Sequence, residues 1–233
     1  HGPPAHFDLF QSGTIANIGA QAPMYDLLIR WDPRIGEKTV IPDLAHRWEI
    51  SSDALTYTFF LREGVKFHDG TDFTAEDMKA TWDRIVYPPT GVPSTRQATF
   101  STVSAINVVD PYTIEFKMSE SRPSALMLGS FASGWNITTS KKTLEENDSN
   151  LRKAPAFTGT GPFKHVSRAP ERWIMEKNPD YWNPNTPYVD GLEVFYIKAY
   201  TPEMASAYLG NLVDWASFLD AKTFRQLEKT AGM

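Results

Sequence analysis

Residues 56–77 read TYTFFLREGVKFHDGTDFTAED, and they contain the signals for a strand, a turn and a helix in close succession. The first six residues are aromatic or β-branched except for the last, a composition typical of a β-strand. Asp69-Gly70 predicts a turn in which the glycine takes a positive φ. Thr74 and Asp77 have the spacing of a helix capping box, with Asp in place of Glu or Gln. The segment therefore predicts a strand followed by a capped helix.

The patterns on both sides extend this prediction. Downstream, apolar residues recur at helical spacing until two consecutive prolines and predict a helix over Ala75–Val86. Upstream, Trp48–Ser51 is a β-rich run that predicts an antiparallel partner for Thr56–Leu61. Strand-like runs around turn residues predict two more hairpins, Val103–Val109 with Thr113–Met118 and Lys164–Ser167 with Arg172–Lys177.

The other predicted elements lie between these hairpins and near the ends. They are a helix over Gly19–Leu28, a capped helix over Ser140–Asn147, a strand over Leu192–Ile197, a helix from Thr201 to about Leu209, a strand over Val213–Ser217 and a last helix capped by Asp220. Hairpins cluster in the middle, and the chain ends in a strand–helix–strand order. This order predicts an α/β body with an inserted α+β lobe.

Composition excludes several classes of function. The chain has 233 residues, 41% hydrophobic and 22% charged, which is the balance of a folded globular protein. A net charge of −5 without a basic block does not suit a nucleic-acid partner. Zero Cys excludes disulfides, thiolate catalysis and Cys-ligated metal, and fits the cytosol and the bacterial periplasm equally well. An aromatic content of 13% suits a protein that lines clefts with flat side chains.

The sequence contains no stretch of 18 apolar residues that would predict a membrane span. It starts with His1-Gly2-Pro3-Pro4, which has neither an initiator Met nor the profile of a signal peptide. We therefore expect the natural N-terminus to lie upstream.

Motifs for catalysis and for metal binding lack their partners. His68-Asp69 places a base beside an acid, but adjacent residues point in different directions and no Gly-x-Ser-x-Gly elbow accompanies them. The remaining histidines have neither the i, i+4 spacing of a zinc helix nor a nearby pair of acids. We therefore predict no catalytic residue, no metal ligand and no cofactor.

Two turn-rich motifs have structural and functional interpretations. Gly159-Thr160-Gly161-Pro162 is similar to a phosphate loop, but it lacks a Lys and Pro162 has no N–H to offer an anion. It predicts instead a tight backbone crossing, with glycines that allow φ values closed to other residues. The motif from Asn178 to Pro184 is either a surface recognition patch or an aromatic anchor for a long loop. The anchor is favoured because Tyr181-Trp182 stands between two prolines.

Taken in order, these segments resemble the signature of the family 5 extracytoplasmic solute-binding proteins, the peptide- and nickel-binding components of ABC importers. The segments that carry the resemblance are Leu44–Asp53, Tyr57–Gly70, Phe73–Asp77, Val109–Phe116, Gly159–Phe163, Asn178–Trp182 and Asp190-Gly191. The resemblance runs from about residue 6 to residue 220. The chain departs from the family at Gly210–Asp214, which is one residue longer than the usual block, and in its length, since members are about twice as long.

The resemblance implies a fold of the periplasmic-binding-protein type II-like class (family 5, cluster C) in truncated form. Domain I, an α/β body, would comprise residues 1–43 and 156–233, the inserted α+β domain II would comprise residues 44–155, and domain III would be absent. It further implies a monomeric, non-enzymatic protein, periplasmic or anchored outside the membrane of a bacterium. Such a protein captures a peptide or peptide-like solute between two lobes and delivers it to ABC permease subunits. The alternative is the same module used as a ligand sensor in a regulator or receptor.

The resemblance also assigns ligand-binding residues by position. They come from the region before the first domain I helix, from domain II loops and from the strand after the domain II hairpins, and they are Asn17, Gln21, Tyr25, Arg96, Phe100, Ser133, Gly134 and Trp135. Tyr25 and Trp135 are expected to face the cleft. The structural alternatives are that Tyr25 packs the helix and that Arg96 is a solvated loop charge.

Overall fold

The computed structural model of the chain describes residues 6–36, 39–152, 157–197, 201–216, 221–222 and 224–225. The helices are α1 Ile15–Gln21, α2 Ala75–Val86, α3 Ser124–Phe131, α4 Lys141–Glu146 and α5 Pro202–Leu209. The strands are β1 Ile29–Trp31, β2 Val40–Pro42, β3 Ala45–Ile50, β4 Thr56–Leu61, β5 Val103–Asp110, β6 Thr113–Met118, β7 Phe163–Ala169, β8 Arg172–Lys177 and β9 Gly191–Phe195.

The strands form three antiparallel sheets within the described residues. One contains β1 and β2, a second has the order β3-β4-β6-β5, and a third has the order β7-β8-β9. All three predicted hairpins are confirmed, and the middle sheet joins two of them by pairing β4 with β6. In β4 every second residue is buried, because alternate side chains of a strand point to opposite faces.

The capped helix is confirmed with the predicted bounds. The backbone N–H of Thr74 donates to the carboxylate of Asp77 over 3.0 Å, which satisfies a donor at the start of α2. The other carboxylate oxygen of Asp77 accepts from the backbone N–H of Lys141 over 2.9 Å, so the same side chain joins α2 to α4. The hydroxyl of Ser140 accepts from the backbone N–H of Thr143 over 3.1 Å and caps α4 as predicted. The helix after Thr201 is also confirmed.

The predicted helix over Gly19–Leu28 is wrong in its position. Helix α1 starts at Ile15, and a short 3₁₀ turn over Ala22–Met24 follows it. Pro23 lacks the N–H that would continue the helical ladder, and Tyr25 is extended with φ −129° and ψ 149°. The chain can then enter β1 within four residues of this turn.

The predicted strand over Val213–Ser217 is absent from residues 213–216, and residue 217 lies outside the described residues. Asp220, the predicted cap of the last helix, also lies outside them. Residues 221–222 and 224–225 are helical.

The main core lies between the four-stranded sheet and α2. Phe131 at the end of α3 is its centre, with no solvent exposure. The Phe131 ring contacts those of five aromatic residues at centroid distances of 4.9–5.9 Å: Tyr57, Phe59, Trp82, Phe100 and Phe116. Edge-to-face and tilted arrangements of this kind add stability beyond the burial of apolar area.

A smaller second core forms where α1 and its 3₁₀ turn meet β7 and β8. Its buried members are Ala20, Met24, Phe163, Trp173 and Met175. The ring of Phe7 packs on Trp173 at a centroid distance of 5.2 Å and nearly at a right angle. Residues near the start of the chain and residues of β7 and β8, far apart in the sequence, therefore share one core.

The Phe131→Ala substitution should lower the free energy of unfolding by about 3–5 kcal/mol, because it leaves a cavity among five rings. Urea denaturation followed by circular dichroism measures this change. Leu126→Ala in the same helix is the matched control, since Leu126 is 60% exposed and a surface change of this kind is within about 0.5 kcal/mol. Equal midpoints for the two variants would contradict the central role of Phe131.

Candidate functional site

An open pocket of about 470 Å³ lies between α1, the end of β1 and helix α3 with the loop that follows it. Its lining residues are Ile18, Trp31, Ala125, Leu126, Gly129, Ser130, Ser133, Gly134 and Trp135. Three of the predicted ligand-binding residues, Ser133, Gly134 and Trp135, therefore line one pocket. They belong to the loop after α3 and not to a strand.

Trp31 is one of six lining residues that the sequence analysis did not predict; the others are Ile18, Ala125, Leu126, Gly129 and Ser130. Trp31 is the last residue of β1, and its indole ring lies against the backbone of α3 at Gly129. A Cβ atom at Gly129 would be only 2.9 Å from the indole Cζ2. The available signals were a Trp ahead of Asp-Pro and a glycine inside an apolar helix, but neither signal says that the two residues meet.

Asn17 and Gln21 lie one turn apart on the buried face of α1, both at most 2% exposed. The side-chain amide of Gln21 donates to the backbone carbonyl of Asn17 over 3.1 Å. The carbonyl oxygens of the two side chains, Oδ1 and Oε1, have no hydrogen-bond partner among the residues that the structure describes. These are the two predicted residues whose buried acceptors are left open.

Arg96 and Phe100 lie away from the pocket lining. Phe100 is 1% exposed, and its ring packs against that of Trp82 at a centroid distance of 4.9 Å. Arg96 donates to the backbone carbonyl of Leu9 over 2.8 Å, so it is not the solvated loop charge of the structural alternative. Burial lowers the pKa of Arg96 to about 10, and the nearby carboxylate of Asp8 opposes this change.

Tyr25 packs against the predicted backbone crossing. It is half-buried, and a Cβ atom at Gly159 would be 2.6 Å from its Cδ1. Burial raises the pKa of the Tyr25 phenol, and the charge of Asp8 adds to this effect. Its ring contacts members of both cores. The expectation that it faces the cleft stays a prediction.

The crossing at Gly159–Pro162 is confirmed, but the reason for its glycines differs from the expected one. Among the described glycines, those with positive φ are Gly36, Gly64, Gly70 and Gly91, so the turn glycine at 70 is confirmed, whereas neither 159 nor 161 has a positive φ. What matters at Gly161 is space, since a Cβ atom there would be 2.4 Å from the carbonyl carbon of Met24. The backbone N–H of Gly161 donates to the carbonyl oxygen of Met24 over 3.1 Å.

Two side chains fasten the crossing by its carbonyl oxygen at Gly161. His68 Nε2 lies 2.9 Å from this oxygen, and the side-chain amide of Asn178 donates to it over 3.1 Å. Burial lowers the pKa of His68, and the hydrogen bonds to the Gly161 and Phe157 carbonyls oppose this change. Because a carbonyl oxygen only accepts, Nε2 is the donor in the contact with Gly161. The carboxylate of Asp69 accepts from Thr71. The pair His68-Asp69 therefore holds backbone on one side and closes a turn on the other.

Asp26 joins the crossing to the aromatic motif. Its buried carboxylate accepts from the hydroxyl of Thr160 over 2.8 Å, from the hydroxyl of Tyr181 over 2.9 Å and from the indole N–H of Trp182 over 3.0 Å. The aromatic-anchor interpretation of the motif is thereby confirmed. Burial raises the pKa of Asp26, and the three donors oppose that increase.

Asp43 is another buried carboxylate, and it lies close enough to Asp26 for their charges to interact. One oxygen accepts from the backbone N–H of Leu27 over 2.8 Å, and the other lies 3.9 Å from Nε of Arg30, beyond hydrogen-bond distance. Burial raises the pKa of Asp43 to about 8, and the negative charge of Asp26 acts in the same direction. The guanidinium of Arg62 donates to the backbone carbonyl of Asp43 over 2.7 Å and stacks on the Trp182 ring, 4.2 Å from its centroid.

The grouping of potential metal ligands and the length of the helices also bear on function. Within the described ranges, no three His, Cys, Asp or Glu side chains are grouped so that they could hold a metal ion. Nor does the part of the chain that the structure describes include a helix long and apolar enough to cross a membrane. What the described residues offer is a pocket of neutral side chains and, separate from it, a backbone crossing fastened by hydrogen bonds.

This fold is the one found in periplasmic binding proteins. The structure of the binding protein AgaA from A. tumefaciens R10, in complex with agropinic acid, superposes with a TM-score of 0.87 at 24% identity, over 98% of this chain and 44% of that one. The ABC transporter-associated periplasmic binding protein DppA from Helicobacter pylori, in complex with the peptide STSA, superposes with a TM-score of 0.84 at 28% identity, over 98% and 47%.

The sequence comparisons are more specific. The family model of the bacterial extracellular solute-binding proteins, family 5 Middle, matches residues 39–233. The dipeptide-binding protein of Escherichia coli K12 is 31% identical over 234 residues, which cover 89% of this chain and 41% of that protein. The chain belongs to the family 5 extracellular solute-binding proteins, and it spans about two fifths of the length of such curated relatives.

The Gly161→Ala substitution should destabilise the protein by on the order of 1–3 kcal/mol, because the new methyl group overlaps the backbone of Met24. Chemical denaturation measures the change. Gly13→Ala is the matched control, since a Cβ atom there meets nothing within 4 Å and the glycine is exposed. If both variants unfold at the same urea concentration, the crossing tolerates a side chain and the assignment is wrong.

The Asp43→Asn substitution should flatten the dependence of stability on pH between about 4 and 8. Asp43 has an ordinary pKa of 3.8 when unfolded and about 8 when folded, so the folded state binds more protons in this range. Its contribution to stability is therefore present below pH 3.8 and is lost as the pH rises towards 8. Calorimetry of both proteins at pH 5 and pH 8 measures the difference in Tm.

Asp32→Asn is the control for that measurement. The side chain of Arg34 holds the pKa of Asp32 down at about 2, so this carboxylate stays ionised across the whole range. The wild-type protein and the Asp32 variant should lose the same number of degrees in Tm between pH 5 and pH 8. The same loss in the Asp43 variant would show that Asp43 does not titrate in this range.

Proposed function

We propose that residues 1–233 form one wall of the solute cleft in the extracytoplasmic binding component of an ABC importer. The proposed solute is a peptide or peptide-like molecule. The observation that carries this proposal is the pocket at the end of α3, where Ser133, Gly134 and Trp135 lie together with Trp31. The names of the relatives support it, because a dipeptide-binding protein and a peptide complex are among them.

The packing of the two cores supports a division into lobes. We propose residues 1–43 and 156–233 as one body and residues 44–155 as an inserted lobe. The smaller core supports this division, since all its buried members come from the first body. The main core draws chiefly on the lobe but includes Leu9, Phe10, Leu28 and Ile29, so the first segment packs against both. The crossing at Gly161 is where the chain returns from the lobe.

The proposed ligand contacts differ in directness. Ser133, Gly134 and Trp135 line the pocket and would touch the solute. Asn17 and Gln21 have open carbonyl oxygens that suit N–H donors of a solute or of ordered water. Arg96 and Phe100 would support the wall from behind, since their contacts are with Leu9 and with the core, whereas Tyr25, next to the crossing, is proposed to face the cleft.

We propose that such a protein binds and releases its solute without making or breaking a covalent bond. The family and the relatives reported above are binding proteins. We propose that the solute is held between two walls, that the closed form docks on permease subunits and that the protein acts as a monomer outside the cytoplasmic membrane. The relatives do not favour the alternative of a sensor in a regulator or receptor.

The test is a thermal-shift screen of di- and tripeptides against the longest natural form of the protein and against residues 1–233. A peptide that binds only the folded state raises Tm. At a peptide concentration of a hundred times Kd, binding adds about 2.7 kcal/mol to the free energy of unfolding. We expect a clear shift in the longest form and a smaller one in residues 1–233, which supply one wall. No shift with any peptide, or release of amino acids from the peptide during the assay, would overturn the proposal.

A further inference from the structure

Among the residues that the structure describes, no charged side chain lines the pocket at the end of α3. Two indole rings and two branched aliphatic residues dominate it, and helix α3 itself has the uncharged sequence SALMLGSF. The hydroxyl of Ser130 donates to the backbone carbonyl of Leu126 over 3.0 Å, so this polar group is already satisfied within the helix. The lining also includes Ser133 and two indole N–H groups, so the pocket is a mainly apolar surface with a few uncharged hydrogen-bonding groups.

The charges nearest in sequence to Trp31 are directed to other partners. Arg30 lies 3.9 Å from the buried carboxylate of Asp43, and neighbours in a strand point to opposite faces. Asp32 accepts two hydrogen bonds from the Arg34 side chain, at 3.0 and 2.7 Å. A charged group placed in the pocket would lose water without gaining an opposite charge from these residues.

The glycine in α3 keeps the pocket open. Because Gly129 has no Cβ atom, the indole of Trp31 lies directly on the helix backbone, which holds the ring in place as part of the wall. The remaining volume of about 470 Å³ is within the size range of small-molecule pockets. Flat aromatic walls interact best with a flat guest, through offset or edge-to-face contacts.

We infer that this pocket selects an uncharged aromatic side chain of the bound solute, and that Gly129 sets this specificity by positioning Trp31. The inference rests on the proposed function, because it names the chemical class that the same cleft accepts. Charged solute groups, including peptide termini, are then recognised outside this pocket.

The test uses four dipeptides that differ only in the second side chain: Ala-Phe, Ala-Leu, Ala-Lys and Ala-Glu. Isothermal titration calorimetry on the longest natural form of the protein should show Ala-Phe binding on the order of tenfold more tightly than Ala-Lys and Ala-Glu, and more tightly than Ala-Leu. Charged dipeptides that bind as tightly as Ala-Phe would overturn the inference while leaving the proposed function intact. Failure of all four to bind would overturn both.

Two variants test the roles of the named residues. Gly129→Ala pushes the Trp31 ring from its place, and Trp31→Leu removes one of the two flat rings and leaves Trp135, so each should weaken the preference for Ala-Phe over Ala-Leu. Gly19→Ala is the matched control for a glycine in a helix, because Gly19 is exposed and a Cβ atom there meets nothing within 4 Å. If Gly129→Ala does not fold, as judged by circular dichroism, Trp31→Leu decides. Retention of the aromatic preference in Trp31→Leu would refute the assignment.

Discussion

The close contact of two backbone segments, Met24–Tyr25 with Gly159–Gly161, holds the described structure together. A Cβ atom at Gly159 or Gly161 would collide with the first segment. The two backbone segments can therefore lie this close only because these residues are glycines. The backbone polar groups buried by this contact have hydrogen-bond partners. The N–H of Gly161 donates to the carbonyl oxygen of Met24, and the side-chain amide of Asn178 donates to the carbonyl oxygen of Gly161. Burial without such partners would cost more than the contact contributes.

The side chains that surround the crossing come from segments far apart in the sequence, and all of them form hydrogen bonds that hold it in place. Asp26 binds Thr160 of the crossing and both rings of the Tyr181-Trp182 pair, while His68 reaches the crossing from the turn before α2. Three of the segments that carry the family resemblance, Tyr57–Gly70, Gly159–Phe163 and Asn178–Trp182, thus meet at one structural junction. The pocket lies elsewhere, at the end of α3, so these recognisable residues stabilise the scaffold, whereas the proposed solute contacts come from residues outside these segments.

This separation explains what the sequence could and could not predict. The capping box of α2, the three hairpins and the aromatic anchor depend on residues close together in the chain, and local rules find them. The start of the first helix was misplaced because its apolar pattern continues past Pro23, where the backbone cannot. Trp31 was missed because its role depends on Gly129, nearly a hundred residues later, and no local pattern reports that contact. Arg96 and Phe100 were assigned by position in a loop, and loops shift easily between relatives, so their part in solute binding stays a prediction.

The hydrogen bond from Thr160 to Asp26 joins residues 134 positions apart, and this separation affects the order of folding. The hairpins of the four-stranded sheet connect neighbours in the sequence and can form early, whereas closing a long loop has a large entropic cost before its contacts are made. During synthesis the segment around Met24 leaves the ribosome long before Gly161 does. Until then, the apolar face that will become the smaller core has no partner, and this interval is when the nascent chain is most exposed to aggregation or to capture by a chaperone.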